Sequence, residues 1–209
     1  LNIVVRDELG LSLAKQMEQD FGTPYISCGL PYGTDGTISW LSEITKKLGA
    51  GELTRASHEA SKLKEFLLRK GNNLESLWGP LWFDAVLISA PPSEALGIAE
   101  TIRSEWIDTA RLVIHAPCAT EKTTPAADAI RIVMKNEKEI TKDYEDWQGG
   151  LVLSSSHETH LLRRMGRSFT GFHIAFPSHD EVHFSDLPQC GLRGAGYLYE
   201  QLWNAKLRK

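Results

Sequence analysis

Short apolar runs alternate along this chain with amphipathic stretches of ten or more residues. The run at residues 85–89 is bounded by Asp84, Pro91 and Pro92, which is typical of a strand buried on both faces. Apolar runs separated by helices predict parallel strands, because parallel neighbours must be joined by long crossovers. We therefore predict an α/β fold of Rossmann-like parallel sheets with helices on both faces.

The alternation also predicts where the individual elements lie. Apolar runs predict strands at residues 2–5, 24–27, 85–89, 112–115, 130–134, 150–153 and 171–175. Helical spacing and capping residues predict the helices between them, with Leu9, Leu13 and Met17 on one face of the first, Gly71 ending the third, and Ser93, Asn136 and Ser155 or Ser156 as later caps. A last helix is expected from Gly194 onward.

These elements fall into two sets along the chain. The set from about residue 80 to residue 209 has enough strands and helices to close one Rossmann-like domain, and the earlier set is typical of the end of another. The chain starts at Leu1 with a strand that has no lead-in. We therefore expect one complete domain plus the end of another, cut from a longer protein.

Composition limits the kind of partner. The chain has 209 residues, a net charge of -4 and no long basic run, so nucleic-acid binding through phosphate neutralisation is not expected. No apolar run approaches the roughly 20 residues that span a bilayer, so no membrane partner is expected. Cys28, Cys118 and Cys190 are odd in number and far apart, which favours a reducing cytoplasm over a disulfide framework.

Four segments follow predicted strands at the edge where open parallel sheets bind ligands. They are residues 29–33, 90–93, 154–156 and 176–180. Each contains the turn and capping residues that any strand-to-helix connection requires, so a purely structural role fits each of them as well.

Common cofactor motifs do not match. The glycines at residues 191–196 are spaced GxxGxG rather than GxGxxG, and no strand leads directly into them, which argues against a nicotinamide dinucleotide. No P-loop and no GxSxG elbow is present in the sequence. Pattern alone thus predicts a fold class and a ligand edge, and no reaction.

Histidines suggest two places for a metal, and each has a non-metal interpretation. His157 and His160 are three residues apart, yet the apolar face of their helix leaves both free to face solvent. A second group lies within eighteen residues, namely His173, His179, His183 and Cys190. Imidazole and thiolate suit iron, zinc or copper, although the spacing does not by itself define a site.

A family resemblance extends across nearly the whole chain in four ordered segments. They are residues 13–26 leading to residues 30–33 (Leu-Pro-Tyr-Gly) with Thr37 and residues 40–41, residues 151–158, residues 176–180, and residues 190–195 with Asn204. Together they resemble the nitrogenase component-1 superfamily, which includes nitrogenase catalytic subunits, cofactor-assembly scaffolds and light-independent protochlorophyllide reductase.

The resemblance implies a domain plan and a function. It implies that residues 1–52 finish one Rossmann-like domain, that residues 53–79 form a bridging helix and linker, and that residues 80–209 form the C-terminal domain. The intact protein would receive electrons from an ATP-dependent iron-sulfur reductase and reduce a bound substrate or cofactor. An upstream domain would carry cysteines for an iron-sulfur cluster, and a homologous or identical second subunit would be a partner.

Two positions depart from the family pattern. The nitrogenase subunit that holds the active-site cofactor has a Cys ligand after the strand that residues 2–5 resemble, and this chain has Arg6 and Asp7 there. The same subunit has a His ligand just before the glycine that matches Gly191, and this chain has Cys190. These changes argue against a standard nitrogenase cofactor and leave open another metallocluster or a tetrapyrrole.

The resemblance also implies the residues of a site. Gly33, Ser155, Ser156 and His179 are expected to line a cofactor cavity, and Cys190 is the candidate metal ligand. One alternative is a non-catalytic scaffold that carries a metallocluster or tetrapyrrole. Another is a substrate-binding Rossmann-like domain without metal.

Overall fold

A computed structural model of the protein describes residues 1–116, 130–133, 137–175, 178–180 and 188–208. Parallel sheets are flanked by helices, so the predicted α/β class is confirmed. The domain limits at residues 52 and 79 stay a prediction. No helix among the residues described is long and apolar enough to cross a membrane.

The first part of the chain forms a two-stranded parallel sheet. Its elements are β1 (Asn2–Val4), α1 (Asp7–Phe21), β2 (Tyr25–Ser27) and α2 (Thr34–Leu48). Ile3 of β1 is opposite Ile26 of β2. Each helix ends at a glycine in the left-handed conformation, Gly22 and Gly49, where a residue with a Cβ would be strained.

A long helix, α3 (Thr54–Trp78), follows. The prediction that Gly71 ends this helix is wrong, because Gly71 lies inside it. A Cβ at Gly71 would collide with the hydroxyl of Tyr199, so the glycine lets the last helix of the chain approach closely. Gly71 therefore marks a contact between two helices and not the end of a helix.

The second part of the chain contains a five-stranded parallel sheet. Its elements in chain order are β3 (Trp82–Phe83), β4 (Val86–Ser89), α4 (Pro92–Thr101), a π-helix (Ile102–Trp106), β5 (Asp108–Thr109), β6 (Leu112–His115), β7 (Ile130–Val133), α5 (Glu137–Glu145), β8 (Leu151–Ser154), α6 (Ser156–Arg164), β9 (Thr170–His173) and α7 (Gly191–Leu207). The sheet order is β7-β6-β4-β8-β9, and β3 pairs separately with β5. The chain therefore reverses direction across the sheet between β4 and β8, which is the position where open α/β sheets form a crevice.

The two faces of this sheet are covered by different helices. Alternate residues of each strand point to opposite faces. Ile88 and Ile114 pack with Ile98 of α4 and Leu198 of α7. On the other face, Leu87, Val113 and Val152 pack with Tyr144, Trp147 and Leu162 around α5 and α6. Strands β4, β6 and β8 are buried along their whole length, as predicted for residues 85–89.

One local prediction is wrong, and one predicted helix face is exposed. Leu9 and Leu13 share a face of α1, where they are 72% and 64% exposed, and Ala14 is the buried residue of this helix. Ser93 does not cap α4, which begins at Pro92 after the extended Pro91. Met134 and Asn136, expected to end a strand and cap a helix, lie outside the described residues.

Candidate functional site

The first part of the chain meets the large sheet where strands of both sheets end. Arg6, which follows β1, forms an ion pair with Glu94 in the first turn of α4, after β4. The hydroxyl of Ser93 accepts a hydrogen bond from the backbone N–H of Asp7 at 3.2 Å and donates one to the carboxylate of Glu8 at 2.5 Å. We call these five residues the joint. It places the carboxyl ends of β1 and β4 side by side.

Cys190 lies beside the joint as the residue before α7. It is half-buried, and the Tyr32 hydroxyl lies near its sulfur and favours the thiolate form. The backbone N–H of Gly191 donates to the carbonyl oxygen of Pro31 at 2.8 Å, which fixes the start of α7 against the loop before α2. We call Cys190, Tyr32 and Arg6 the Cys190 site. The site lies between the two sheets and contains residues from both parts of the chain.

Burial controls the chemistry of the Cys190 site. Burial raises the pKa of the Cys190 thiol, while the Tyr32 hydroxyl and the Arg6 guanidinium act in the opposite direction. Burial and the nearby Cys190 sulfur also raise the pKa of Tyr32. The site thus holds a protonated thiol at neutral pH beside two groups that stabilise a thiolate. A metal that binds there must displace the thiol proton.

Gly33 is at the start of α2 with a φ of 71° and a ψ of -175°. The Glu105 carboxylate, from the π-helix, accepts hydrogen bonds from the backbone N–H groups of Thr34 at 2.8 Å and Asp35 at 3.1 Å. It also accepts one from the Thr34 hydroxyl at 2.6 Å. This helix N-terminus is therefore occupied by a carboxylate of the protein itself. A Cβ at Gly33 would collide with Glu105 and Thr101.

Ser155, Ser156 and His179 come together at the end of β8. Ser155 caps α6, its hydroxyl accepting from the backbone N–H of His157 at 3.1 Å, and Glu158 completes a capping box. The buried Ser156 hydroxyl accepts from the backbone N–H of His179 at 2.9 Å. The structure thus gathers three of the four predicted cofactor-binding residues. Gly33 lies apart from them, in the loop that contacts Cys190.

The predicted histidine and cysteine group is not assembled as a metal site in the described residues. The side chain of Gln189, next to Cys190, donates to the backbone carbonyl oxygen of His173 at 3.4 Å, so the loop before α7 reaches the end of β9. No three His, Cys, Asp or Glu side chains in the part of the chain that the structure describes are arranged to hold a metal ion. His183, Cys118, Phe176 and Pro177 lie outside the described residues.

A polar row lies along the carboxyl edge of the sheet, and only Ser154 and His173 of it were selected from the sequence. Ser89, His115, Ser154 and His173 are the last residues of β4, β6, β8 and β9. The buried His115 Nε2 is 3.0 Å from Asp143 Oδ2, and its ring meets Tyr144 edge-on at 5.2 Å. His115 did end a predicted strand, and that position was the signal that could have identified it.

A cavity of about 420 Å³ opens on the other side of Tyr32, between α2 and α4. Its lining includes Trp40 and the carboxylates of Glu43, Glu100 and Glu105. Within the described ranges, none of the four predicted cofactor-binding residues lines this cavity. Its acidic lining disfavours an anionic ligand.

Comparison with known proteins identifies the family to which this chain belongs. The chain belongs to the nitrogenase component 1 type oxidoreductase family, whose sequence pattern matches residues 1–207. A solved structure described as "Nitrogenase Cp1 at pH 6.5" has the same fold, with a TM-score of 0.70 at 15% sequence identity. The match covers 99% of this chain and 45% of that chain, so this chain spans less than half the length of that relative. No curated protein sequence matches this chain.

Proposed function

We propose that this chain is part of a component-1-type oxidoreductase subunit that receives electrons from an ATP-dependent iron-sulfur reductase. The electrons reduce a substrate or cofactor bound where the carboxyl ends of the two sheets meet. Family membership supports this class of function. The observation that carries the proposal is the position of Cys190, a half-buried thiol beside the joint in a protein of this family.

The residues of the Cys190 site fit one contact to a metallocluster and not a complete mononuclear metal site. Cys190 would supply a single thiolate, and Arg6 would offset its negative charge. Tyr32 would keep the proton on its hydroxyl oxygen. A bound cluster would supply the redox chemistry that side chains alone do not provide. Ser155, Ser156 and His179 lie at the adjacent strand end and are proposed to line the same cavity, with Gly33 at its opposite side.

The alternative function is a non-catalytic scaffold that carries a metallocluster or tetrapyrrole for delivery. Arg6 favours it, because this cation occupies the position where the family resemblance places a cysteine ligand and is instead committed to Glu94. Fewer protein ligands would let a cargo leave more easily. A scaffold would bind cofactor yet show no turnover with reductase and ATP.

The family also suggests the partners of the intact protein. We propose a homologous or identical second subunit, a separate ATP-dependent reductase, and an iron-sulfur cluster held upstream of residues 1–209. A cytoplasmic location is proposed because Cys28 and Cys190 are both free thiols. Neither nucleic acid nor membrane is proposed as a partner.

The test is anaerobic metal analysis with a visible absorption spectrum of the full-length protein. The Cys190→Ala variant should lose the metal or cofactor held at the Cys190 site and keep the upstream cluster, whereas Cys28→Ala, the matched control at the other free cysteine of the described residues, should keep both. Unchanged content in Cys190→Ala would show that Cys190 is not a ligand. A colourless, metal-free wild-type protein would refute the electron-transfer function.

A second assay separates the enzyme from the scaffold. The cofactor-loaded protein is mixed with an ATP-dependent iron-sulfur reductase, and the ATP-dependent loss or change of its visible spectrum is followed. Oxidation and reduction over many cycles support the oxidoreductase. Transfer of the cofactor to a second protein without repeated cycles supports the scaffold.

A further inference from the structure

The first sheet leaves one edge of β1 open. Among the residues that the structure describes, β1 pairs only with β2. The backbone N–H of Asn2 donates to the carbonyl oxygen of Pro24 at 2.8 Å, and the carbonyl oxygen of Val4 accepts from the backbone N–H of Cys28 at 3.2 Å. Because alternate residues of a parallel strand bond to the same neighbour, the backbone groups of Ile3 point to the open edge. β1 contains neither lysine nor proline, which often protect the outermost strand of a sheet.

An apolar groove runs along this open edge. It has a volume of about 330 Å³, and its lining comes from residues 2–6 and from α1, with no residue of β2. Leu9 and Leu13 line it from α1 and are mostly exposed, and Ile3 of β1 is 42% exposed. Strands of parallel sheets are normally covered by neighbours that bury such side chains. We call Ile3, Leu9, Leu13 and the open edge of β1 the β1 groove, and its shape and chemistry fit an apolar strand.

We propose that the β1 groove is occupied in the intact protein by a parallel strand from the polypeptide that precedes Leu1. The backbone of this strand pairs with Ile3, and its apolar side chains cover Leu9 and Leu13. Every strand pair described in the structure is parallel. A parallel neighbour comes from the same polypeptide through a crossover connection, which favours the upstream part of the protein as its source.

A second copy of the chain fits this edge less well. Two copies related by a two-fold axis would present the same edge to each other, and β1 would then pair with β1 in the antiparallel direction. The solved structure of the same fold supplies a further argument. The match covers 45% of that chain, so more than half of its length lies outside the matched part. A chain of that length has enough residues for additional strands.

The β1 groove reaches the proposed functional site at one end. Arg6 lines the groove directly after β1 and also belongs to the joint and to the Cys190 site. A strand bound to β1 would therefore fix the backbone that positions the Arg6 guanidinium. The inference itself requires no bound metal or cofactor, so its tests and the metal analysis fail independently.

Photo-crosslinking in the full-length protein identifies what occupies the groove. The photoreactive residue p-benzoylphenylalanine replaces Leu13 or, as the control, Ser12, which is exposed on the same helix and does not line the groove. Mass spectrometry then identifies the crosslinked peptides. Position 13 should crosslink to residues upstream of Leu1 at least about tenfold more than position 12, because only position 13 contacts the added strand. Crosslinks mainly to a second copy or within residues 1–209, or equal upstream yields at both positions, would overturn the proposal.

Hydrogen exchange of the wild-type full-length protein tests the strand pairing without a substitution. The amide of Val4 points to β2 and is the internal control, whereas the amide of Ile3 points to the open edge. If a strand pairs with Ile3, the two amides should exchange at rates within about tenfold of each other. Exchange of Ile3 near the rate of a free peptide, with Val4 protected, would contradict the proposal. Loss of Ile3 protection on dilution would identify a second copy as the occupant and would also contradict it.

Discussion

Gly33 combines two constraints that only glycine meets. Its φ of 71° with an extended ψ lies in a region that side chains with a Cβ rarely adopt. The Cβ position is also filled by Glu105 and Thr101, so the carboxylate that caps α2 depends on this residue having no side chain. The role observed for Gly33 is thus to admit Glu105, and its cofactor role stays a prediction.

Replacing Gly33 should destabilise the protein. We expect Gly33→Ala to lower the free energy of unfolding by about 2 kcal/mol through backbone strain, with an added loss where Glu105 is displaced. Urea denaturation followed by circular dichroism measures the change. Gly36→Ala is the matched control, because Gly36 lies inside α2 with open space around it and alanine favours helix. Gly36→Ala should leave stability equal or higher, and a similar loss in both variants would contradict this account.

At the scale of single elements, α6 begins with the most complete cap described in the chain. Ser155 and Glu158 satisfy each other's backbone groups, and Ser156 is committed to His179. Both serines therefore already have hydrogen-bond partners within the protein. This agrees with the purely structural role that also fitted the strand-end segments. A ligand at this edge would share or replace those hydrogen bonds.

Removing the cap should loosen α6 and the residues bound to it. Ser155→Ala is expected to lower the free energy of unfolding by about 1 kcal/mol, because it leaves helix N–H groups without an acceptor. Glu158→Gln keeps a hydrogen-bonding side chain of the same length and should cost less. Chemical denaturation of both variants checks the order. A larger loss for Glu158→Gln would show that charge rather than capping stabilises the helix start.

The elements were predictable where burial and periodicity agree. Strands β4, β6 and β8 are apolar up to their last residue because both of their faces are covered, and that leaves an unmistakable run in the sequence. The prediction that Gly71 ends α3 was wrong because, in a single sequence, a glycine at a helix end cannot be told from a glycine at a helix–helix contact. Leu9 and Leu13 were predicted to share a helix face, and periodicity does not show whether another element covers such a face.

The candidate site was less predictable than the fold. Cys190 could be selected because it matches a family position. Its contact with Tyr32 and its electrostatic interaction with Arg6 could not, because they join residues that are far apart in the chain. Glu105 had no sequence signal at all, since a capping carboxylate from another part of the chain leaves no local pattern. The family and the fold class are confirmed, while the site residues stay predictions.

At the scale of the whole molecule, the joint connects the two sheets through charged and polar side chains. Glu94 is buried, so its pairing with Arg6 offsets the cost of removing its charge from water. Cys190 lies beside this contact, and its reactivity therefore reports on how the two parts of the chain meet.

Alkylation of Cys190 should be slow near neutral pH and should accelerate at a pH above that of an ordinary thiol, because burial raises its pKa. Tyr32→Phe removes the hydroxyl that stabilises the thiolate. We expect it to raise the pKa further and to slow alkylation at pH 8 by roughly fivefold, since one hydrogen bond contributes about 1 kcal/mol. Mass spectrometry of iodoacetamide-treated protein measures the rate.

Cys28 provides the internal control for this experiment, since burial also raises the pKa of its thiol but Tyr32 is not among the groups that shift it. Its alkylation rate should be the same in wild-type protein and in Tyr32→Phe. Faster alkylation of Cys190 in Tyr32→Phe would indicate that the substitution opens the site instead of changing its electrostatics.

The Glu105 cap also has a consequence for the order in which a nascent chain becomes structured. The first turn of α2 receives its hydrogen-bond acceptor from a residue 71 positions later in the sequence. A ribosome releases residues from the N-terminus, so α2 emerges well before the π-helix that completes it. Until Glu105 has left the exit tunnel, the first backbone N–H groups of α2 lack the acceptor that they have in the folded protein.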